Sequence, residues 1–508
     1  MQDRTQDGSP PPAKTRSLLC RAAIAAVGMF ALFTFTHSLA DVDLWGNVGF
    51  VKHLPWSDKF LRINTFSFTE PNHIWINHEW LAEYILYKAY HLLGNPGLLL
   101  LKAILGFGLL AVINSSLRKT MTSGPTRVLL LLLLLSTIGY GFSTRPHLFT
   151  YLLSASLLTL LLRTRLPATL LLLAAPLGCI WANLHGAFFI GQILLLLVFF
   201  SALITKLTRN CNSWHNTLVS AGANVAFFAG TLLNPYGLEL WGFVFDSAAI
   251  LRPILSEWAP FNPVTQFSDH IDFMVLILIT CIAVLRAPRS ISLMAFITLI
   301  LSLLAALFMR RNIPLFAIVA GLTAGGAIEN AFAKDIDGLV NKIRPKTITL
   351  GLLAASLLSA VFFVKSNIPK PLDIRIDQTK FPVKAMIFLE ANQIQANVIT
   401  FFDWAEYSIW HLYPKYHQFL DGRFKSAYSQ KTITDYLNFI YGKDLHAITD
   451  YPTEMVFVHV GNPAAKTMRQ QPGWDTIYQD EISVIFLKAS VNHGPLVLPK
   501  KAPSLSFP

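Results

Sequence analysis

Residues 128–165 read VLLLLLLLSTIGYGFSTRPHLFTYLLSASLLTLLLRTR. Two blocks without a single charge, 128–142 and 148–162, flank the polar turn Arg145-Pro146-His147, and the second block stops at Arg163 and Arg165. A helix on the surface of a soluble protein carries a polar face, and these blocks have none. They read as a pair of short membrane spans joined by a tight turn.

The same kind of block recurs along the chain. Spans are expected at roughly 22–40, 97–117, 128–142, 148–162, 166–184, 187–205, 216–233, 271–285, 291–309, 313–328 and 347–364, eleven in all. Of 508 residues, 53% are hydrophobic and only 14% charged, and the mean hydropathy is +0.48. A soluble domain of this composition would need an implausibly large apolar core. The formal net charge of +12 does not point to nucleic acid, because the Lys and Arg residues cluster beside the apolar blocks. The four cysteines, Cys20, Cys179, Cys211 and Cys281, lie outside the hydrophilic C-terminal part and imply no disulfide framework there.

Charge sets the orientation. Lys14, Arg16 and Arg21 precede the first span and put residues 1–21 in the cytoplasm. The even-numbered spans should then end in basic loops, as they do at Arg118/Lys119/Arg127, Arg163/Arg165, Lys206/Arg209, Arg286/Arg289 and Lys334/Lys342/Arg344/Lys346. An odd number of spans leaves everything after 365 outside. Ser38-Leu39-Ala40 could serve as a signal-peptidase site without altering the orientation of the rest. The expected location is the cell inner (plasma) membrane, multi-pass.

The outer side holds the chemically capable residues. The long loop 41–96 opens with Asp41-Val42-Asp43-Leu44-Trp45 and continues to His78-Glu79-Trp80-Leu81. Residues 78–93 have helical apolar spacing at Leu81, Ile85, Leu86 and Ala89, with Glu79, Glu83 and Lys88 elsewhere on the surface, which predicts an interfacial amphipathic helix. Later outer turns carry Arg145 and His147, Asn183 and His185, and Arg310-Arg311-Asn312. Arg310 and Arg311 break the positive-inside pattern, and guanidinium groups suit a phosphate.

Two aspartates, a His-Glu pair, an Asn-His pair and outward arginines fit one reaction without strain: sugar transfer from a polyprenyl-phosphate donor. Phosphate is a good leaving group, so the enzyme needs a carboxylate base for the acceptor hydroxyl and positive charge for the departing phosphate. Asp41 and Asp43 converge only on a strand or an irregular turn, since two positions apart on a helix is about 200°. Asp41 and Asp43 are the candidate catalytic carboxylates. His78, Glu79, Arg145, His147, Asn183, His185, Arg310, Arg311 and Asn312 are the expected substrate-binding residues. A divalent metal, if used, would fall to Asp41, Asp43 and Glu79. The alternatives are a transporter or flippase for lipid-linked glycans, or a non-catalytic envelope-polysaccharide assembly protein. The span interiors lack the acidic residues and broken helices of an ion-coupled transporter.

On these residues the chain resembles the GT-C superfamily of membrane glycosyltransferases, which includes protein O-mannosyltransferases, aminoarabinose transferases and oligosaccharyltransferase catalytic subunits. The pieces that carry the resemblance are DVDLW (41–45), FSFT (66–69), HEWL (78–81), RPHLF (145–149), NLHG (183–186), NPYG (234–237), RNIPLF (311–316) and DGR (421–423). It implies a polytopic α-helical GT-C-like domain over 22–365, a polyprenyl-phosphate sugar donor, an extracytoplasmic acceptor (glycan, lipid or protein) and Asp41 as base or metal ligand. A second-loop acidic motif of the oligosaccharyltransferase kind is not recognisable. Phe401-Phe402-Asp403-Trp404-Ala405 matches the layout of the WWDYG acceptor motif, with four of its five residues replaced.

Residues 366–490 have a different character. Helix-like stretches at 382–392 and 428–441 alternate with β-rich ones at 397–402, 417–420, 455–460 and 482–487, which predicts a small extracytoplasmic α/β domain. Asp403, Glu406, Asp421 and Arg423 are its most suggestive polar residues, and Asp403, Asp421 and Arg423 are candidates for acceptor contact or a lid. The proline-bearing tail 491–508 is expected to be loosely ordered.

Overall fold

The computed structural model describes residues 13–37, 39–54, 62–71, 73–208, 214–248, 256–366, 372–498 and 506–508. Every one of the eleven apolar blocks falls on a helix, from Ala13–Thr36 through Asn95–Thr120 and His147–Leu161 to Pro345–Ser366. Five helical stretches are long and apolar enough to cross a membrane: Leu18–Thr36, Asn95–Thr120, Gly186–Thr208, Arg310–Lys342 and Pro345–Lys365. Shorter apolar helices such as Gly124–Gly139, His147–Leu161 and Leu293–Phe308 pack among them, and the chain is a multi-pass membrane protein. The helix at 313 runs on to Lys342, well past the expected end at 328, so Lys334 and Lys342 sit on a helical extension.

Without a hydrophobic drive inside a bilayer, helices associate through close packing at small residues. Thr169–Leu184 against His215–Thr231 shows this. A Cβ on Gly178 would lie 2.3 Å from the Phe227 carbonyl oxygen, and one on Gly230 would lie 2.1 Å from that of Ala175.

The first loop contains two helices. Leu44–His53 follows the Asp41–Asp43 turn, and Trp80–Leu93 is the expected amphipathic helix. Its buried residues are Ala82, Glu83 and Leu86, while Leu81 and Ile85 are half-buried. Glu83, expected on the surface, is turned inward. The helix packs both on Leu44–His53 and on Asn95–Thr120, which rotates its buried side towards Glu83.

The C-terminal segment forms a five-stranded mixed sheet, β1 (Ala396–Thr400), β2 (Tyr416–Gln418), β3 (Met455–His459), β4 (Trp474–Gln479) and β5 (Ser483–Lys488), in the order β2-β1-β3-β5-β4. β1 is parallel to β2 and β3, and β5 is antiparallel to β3 and β4. The helices Val383–Asn392 and Gln430–Ile440 are those expected. β4 was not expected, because as an edge strand it reads WDTIYQ and buries little.

This sheet layer and the first loop share one core. Trp45, fully buried, packs against Phe381 and Tyr407 with ring centroids 4.5 and 4.8 Å away. Gln418 donates its backbone N–H to Phe66 O at 2.8 Å, and Asn64 Nδ2 donates to Ala427 O at 2.8 Å. Phe507 is buried beside Trp45, Tyr90 and Trp410, and its carbonyl accepts from Asn95 Nδ2; residues 499–505 of the expected loose tail lie outside the described ones.

Candidate active site

Where the outer loops, the span ends and the C-terminal domain meet there is a cavity of about 880 Å³. Ten of the predicted site residues line it: Asp43, His78, Glu79, Arg145, His147, His185, Arg311, Asn312, Asp403 and Arg423. Below them the wall is mainly apolar, with Ser154, Thr298 and Ser302 as its polar members. Ile190, Ile193, Leu194 and Leu197 descend one helix, facing Leu158 and Leu301. At 1.5 Å per residue, Ile190 to Leu197 alone covers about 10 Å of depth. The cavity thus has a charged head and a greasy floor between the spans.

The Asp41–Asp43 turn is irregular, as convergence of the two required. Asp43 donates its backbone N–H to Asp41 Oδ1 at 3.1 Å, and its carbonyl accepts from Asn47 N–H at 2.9 Å to begin the helix Leu44–His53. Trp45 pins this turn to the C-terminal core. The Asp43 carboxylate takes no part in capping and faces the cavity.

Arg145 organises the charges. Its Nε donates to Asp41 Oδ1 at 2.5 Å and its Nη2 to Asp41 Oδ2 at 2.9 Å, a two-pronged pair. Its Nη1 lies 2.8 Å from Asp43 Oδ2 and 3.2 Å from Glu257 Oε1. Asp41 itself is not on the cavity wall; it stands behind Arg145. The two aspartates therefore differ. Burial works to raise the Asp41 carboxyl, but the Arg145 guanidinium overrides it and holds it below the usual carboxylate range. Burial pushes Asp43 up to about 7 against Arg145, with help from the charges on Asp41, Glu257 and Glu79.

A second relay supports Glu79. Trp181 Nε1 donates to Thr150 Oγ1 at 2.8 Å, and Thr150 Oγ1 lies 2.9 Å from His185 Nδ1. Ala187 N–H also donates to His185 Nδ1, so that nitrogen accepts and Nε2 carries the proton, facing Glu79 Oε1 at 3.3 Å. His78 Nε2 lies 3.6 Å from the same oxygen. His147 donates from Nε2 to Gly141 O at 2.7 Å. Arg311 lies over the Trp258 ring at 4.5 Å, with its nearest carboxylate, Glu257, at 4.0 Å.

Besides Asp41, three expected residues are not on the cavity wall. Asn183 ties helices together, accepting from Trp80 Nε1 at 2.8 Å and donating to Cys179 O and Leu233 O. Arg310 does not line the cavity; its backbone N–H donates to Ala259 O at 3.2 Å. Asp421 is wholly buried in a pair with Arg423, receiving Nε at 2.9 Å and Nη2 at 2.7 Å, plus the Tyr428 hydroxyl at 2.6 Å. Arg423 is stacked among Phe50, Phe66 and Trp75, and of this pair it alone touches the cavity.

Other acidic wall residues were not predicted as site residues. Glu257 comes from the loop before Ile271–Arg286. Glu83 accepts from Asn77 Nδ2 at 2.7 Å, and burial pushes it up to about 8. Glu406 accepts from Gly46 N–H at 3.1 Å, and burial, then the charges of Asp43 and Asp421, raise it well above the usual range. Glu406 stands directly after the FFDWA segment and is one of the four polar residues that the sequence singles out in this part.

The expected metal ligands do not converge. Asp41 and Asp43 turn to Arg145, whereas Glu79 faces His185 and His78. Among the described residues no three His, Cys, Asp or Glu side chains are arranged to hold one ion.

No family model matches the chain, and no curated protein matches it in sequence. Solved structures do. The oligosaccharyltransferase of Archaeoglobus fulgidus in its apo form is 13% identical with a TM-score of 0.56, over 88% of this chain and 69% of that one. The same organism's AglB, in complex with an inhibitory peptide and a dolichol-phosphate, gives 14% identity at the same score and coverage. ArnT from Cupriavidus metallidurans bound to undecaprenyl phosphate is 10% identical with a TM-score of 0.48, over 93% of this chain and 98% of that one. The fold is that seen in the Archaeoglobus fulgidus oligosaccharyltransferase.

Proposed function

We propose that this protein is a membrane glycosyltransferase that moves a sugar from a polyprenyl-phosphate donor to a hydroxyl acceptor on the extracytoplasmic side. The observation that carries this reading is the single cavity, in which acid, base and guanidinium groups crown an apolar floor between spans. An amphiphile with an anionic headgroup suits such a shape: the chain lies on the apolar wall and the phosphate meets the arginines. One solved structure of like fold, the archaeal oligosaccharyltransferase AglB, is in complex with a dolichol-phosphate, which agrees with a lipid-linked donor. A flippase would need a polar path leading down through the bundle, and the lower wall is chiefly Leu, Ile and Val, with the hydroxyls of Ser154, Thr298 and Ser302 bonded to their own helix backbones.

In this reading the acceptor oxygen attacks the anomeric carbon, the bond from that carbon to the phosphate oxygen breaks, and polyprenyl phosphate leaves. Asp43 takes the proton of the acceptor hydroxyl. It faces the cavity and is the more exposed of the pair, with its side chain 41% accessible against 19% for Asp41. Asp41, expected as the base, is the residue that fixes Arg145. Arg311, steadied on Trp258, is the ligand for the departing phosphate. The carboxylate Glu79 and the neutral His185 behind it orient the sugar hydroxyls.

The test is incubation of the purified protein with a panel of polyprenyl-phosphate sugars and an extract of acceptors, following release of free polyprenyl phosphate. Consumption of one donor class supports the reading. Its translocation across a vesicle without consumption refutes it.

A further inference from the structure

We propose that Arg145 is a built-in substitute for a divalent cation: the site neither binds nor needs a metal, and removing the guanidinium would turn it into a metal centre. Two segments far apart in the chain bring three carboxylates to this point: Asp41 and Asp43 after the first helix, and Glu257 from the loop before Ile271–Arg286. As they stand, these carboxylates are spread along the edge of the guanidinium and not set round one ion; freed of it, three carboxylates at one place are of the kind that hold a cation. Here the centre is filled. Asp41 Oδ1 and Oδ2, Asp43 Oδ2 and both Glu257 oxygens all lie 2.5–3.3 Å from Arg145 nitrogens.

A divalent ion sits about 2.0–2.6 Å from each of its oxygen ligands. An ion held by these oxygens would overlap the guanidinium or be pressed against a like charge. The oxygens are also spent as acceptors of charge-assisted hydrogen bonds. Arg311, 4.0 Å from Glu257, adds a second fixed positive charge. Two guanidinium groups on the chain thus supply the charge that one divalent ion would bring. The chemical difference is permanence: a guanidinium does not dissociate, is not stripped by a chelator and does not lose its proton in the working pH range.

The experiment uses the full-length protein in detergent and Mn²⁺ as the probe, read as loss of the free-ion paramagnetic resonance signal. The parent protein should bind no Mn²⁺ in the micromolar range, and its melting temperature should be the same in Mn²⁺ and in EDTA. R145A should bind about one Mn²⁺ per chain, on the order of 100-fold tighter than the parent, because the three freed carboxylates supply its oxygen ligands. R145A/E257Q should lose that gain. Stoichiometric micromolar binding by the parent, abolished by D41N or E257Q, would overturn the proposal. So would a folded, monodisperse R145A that gains no affinity. If R145A is not recovered folded, R145Q, closer in size, takes its place; if neither is, the parent titration decides. The binding arms stand apart from the transferase reading. Only one further arm rests on it, that donor consumption is unchanged in EDTA, and absence of any consumption there counts against the function and not against the cation substitution.

Discussion

Arg145 grips Asp41 with two parallel hydrogen bonds, Nε to Oδ1 at 2.5 Å and Nη2 to Oδ2 at 2.9 Å, while Asp43 meets it through one oxygen. The two aspartates of one D-x-D therefore do different work. D41N removes the fixed anion from a mostly buried pair and should cost about 2–4 kcal/mol of stability along with activity, because the guanidinium is left without its main partner. D43N should leave the melting temperature within a few degrees of the parent while lowering kcat at least about 100-fold, the loss expected on removing a general base. Melting curves and donor-consumption rates on both variants separate the roles.

The pH dependence has a definite sign. Asp43 is raised to about 7 and Glu83 to about 8, both above their unfolded values of roughly 4. The folded state then holds more protons than the unfolded one between those limits, so stability falls as pH rises from about 4 to about 8. E83Q should flatten the upper part of that fall in a melting-temperature series. Activity runs the other way: a base must be deprotonated, so kcat/KM should climb with pH through a midpoint near 7 that D43N abolishes.

Arg423 and Asp421 form a buried pair ringed by Phe50, Phe66 and Trp75. Breaking one partner of a buried pair costs about 3–5 kcal/mol, so D421N should lower the melting temperature sharply. If D421N melts like the parent, the pair is not what joins the first loop to the C-terminal domain.

Gly46 lies against Glu406, and a Cβ there would fall 2.1 Å from Glu406 Oε2. G46A should displace Glu406 or unseat the helix Leu44–His53, reducing thermal stability and donor consumption together. G28A, where a Cβ meets nothing within 4 Å, is the matched control and should change neither.

The spans were legible because bilayer thickness imposes a length and a charge-free composition that few other structures share, and residues 128–165 display both. The sheet was legible where strands are central: β3 and β5 are runs of buried Val, Ile and Phe, whereas β4, an edge strand reading WDTIYQ, has no such pattern. Outer-turn residues such as His147 and Arg311 could be named because polar groups between spans stand out. Their roles could not, since roles follow from partners. Nothing near Glu257 in sequence announces it. Tertiary bonds put it in place, with Arg310 N–H donating to Ala259 O and Phe261 N–H to Leu307 O, which tie its loop to the end of Leu293–Phe308. In the same way nothing in the sequence around Asp41 announces its partner Arg145, 104 residues on.

The most direct test of the central claim is release of polyprenyl phosphate from a polyprenyl-phosphate sugar by purified parent protein and by D43N, side by side, with acceptor extract present. The account predicts consumption of one donor by the parent and at least about 100-fold slower release by a folded D43N. Equal release by the two proteins, or no release by the folded parent from any donor in the panel, would contradict it.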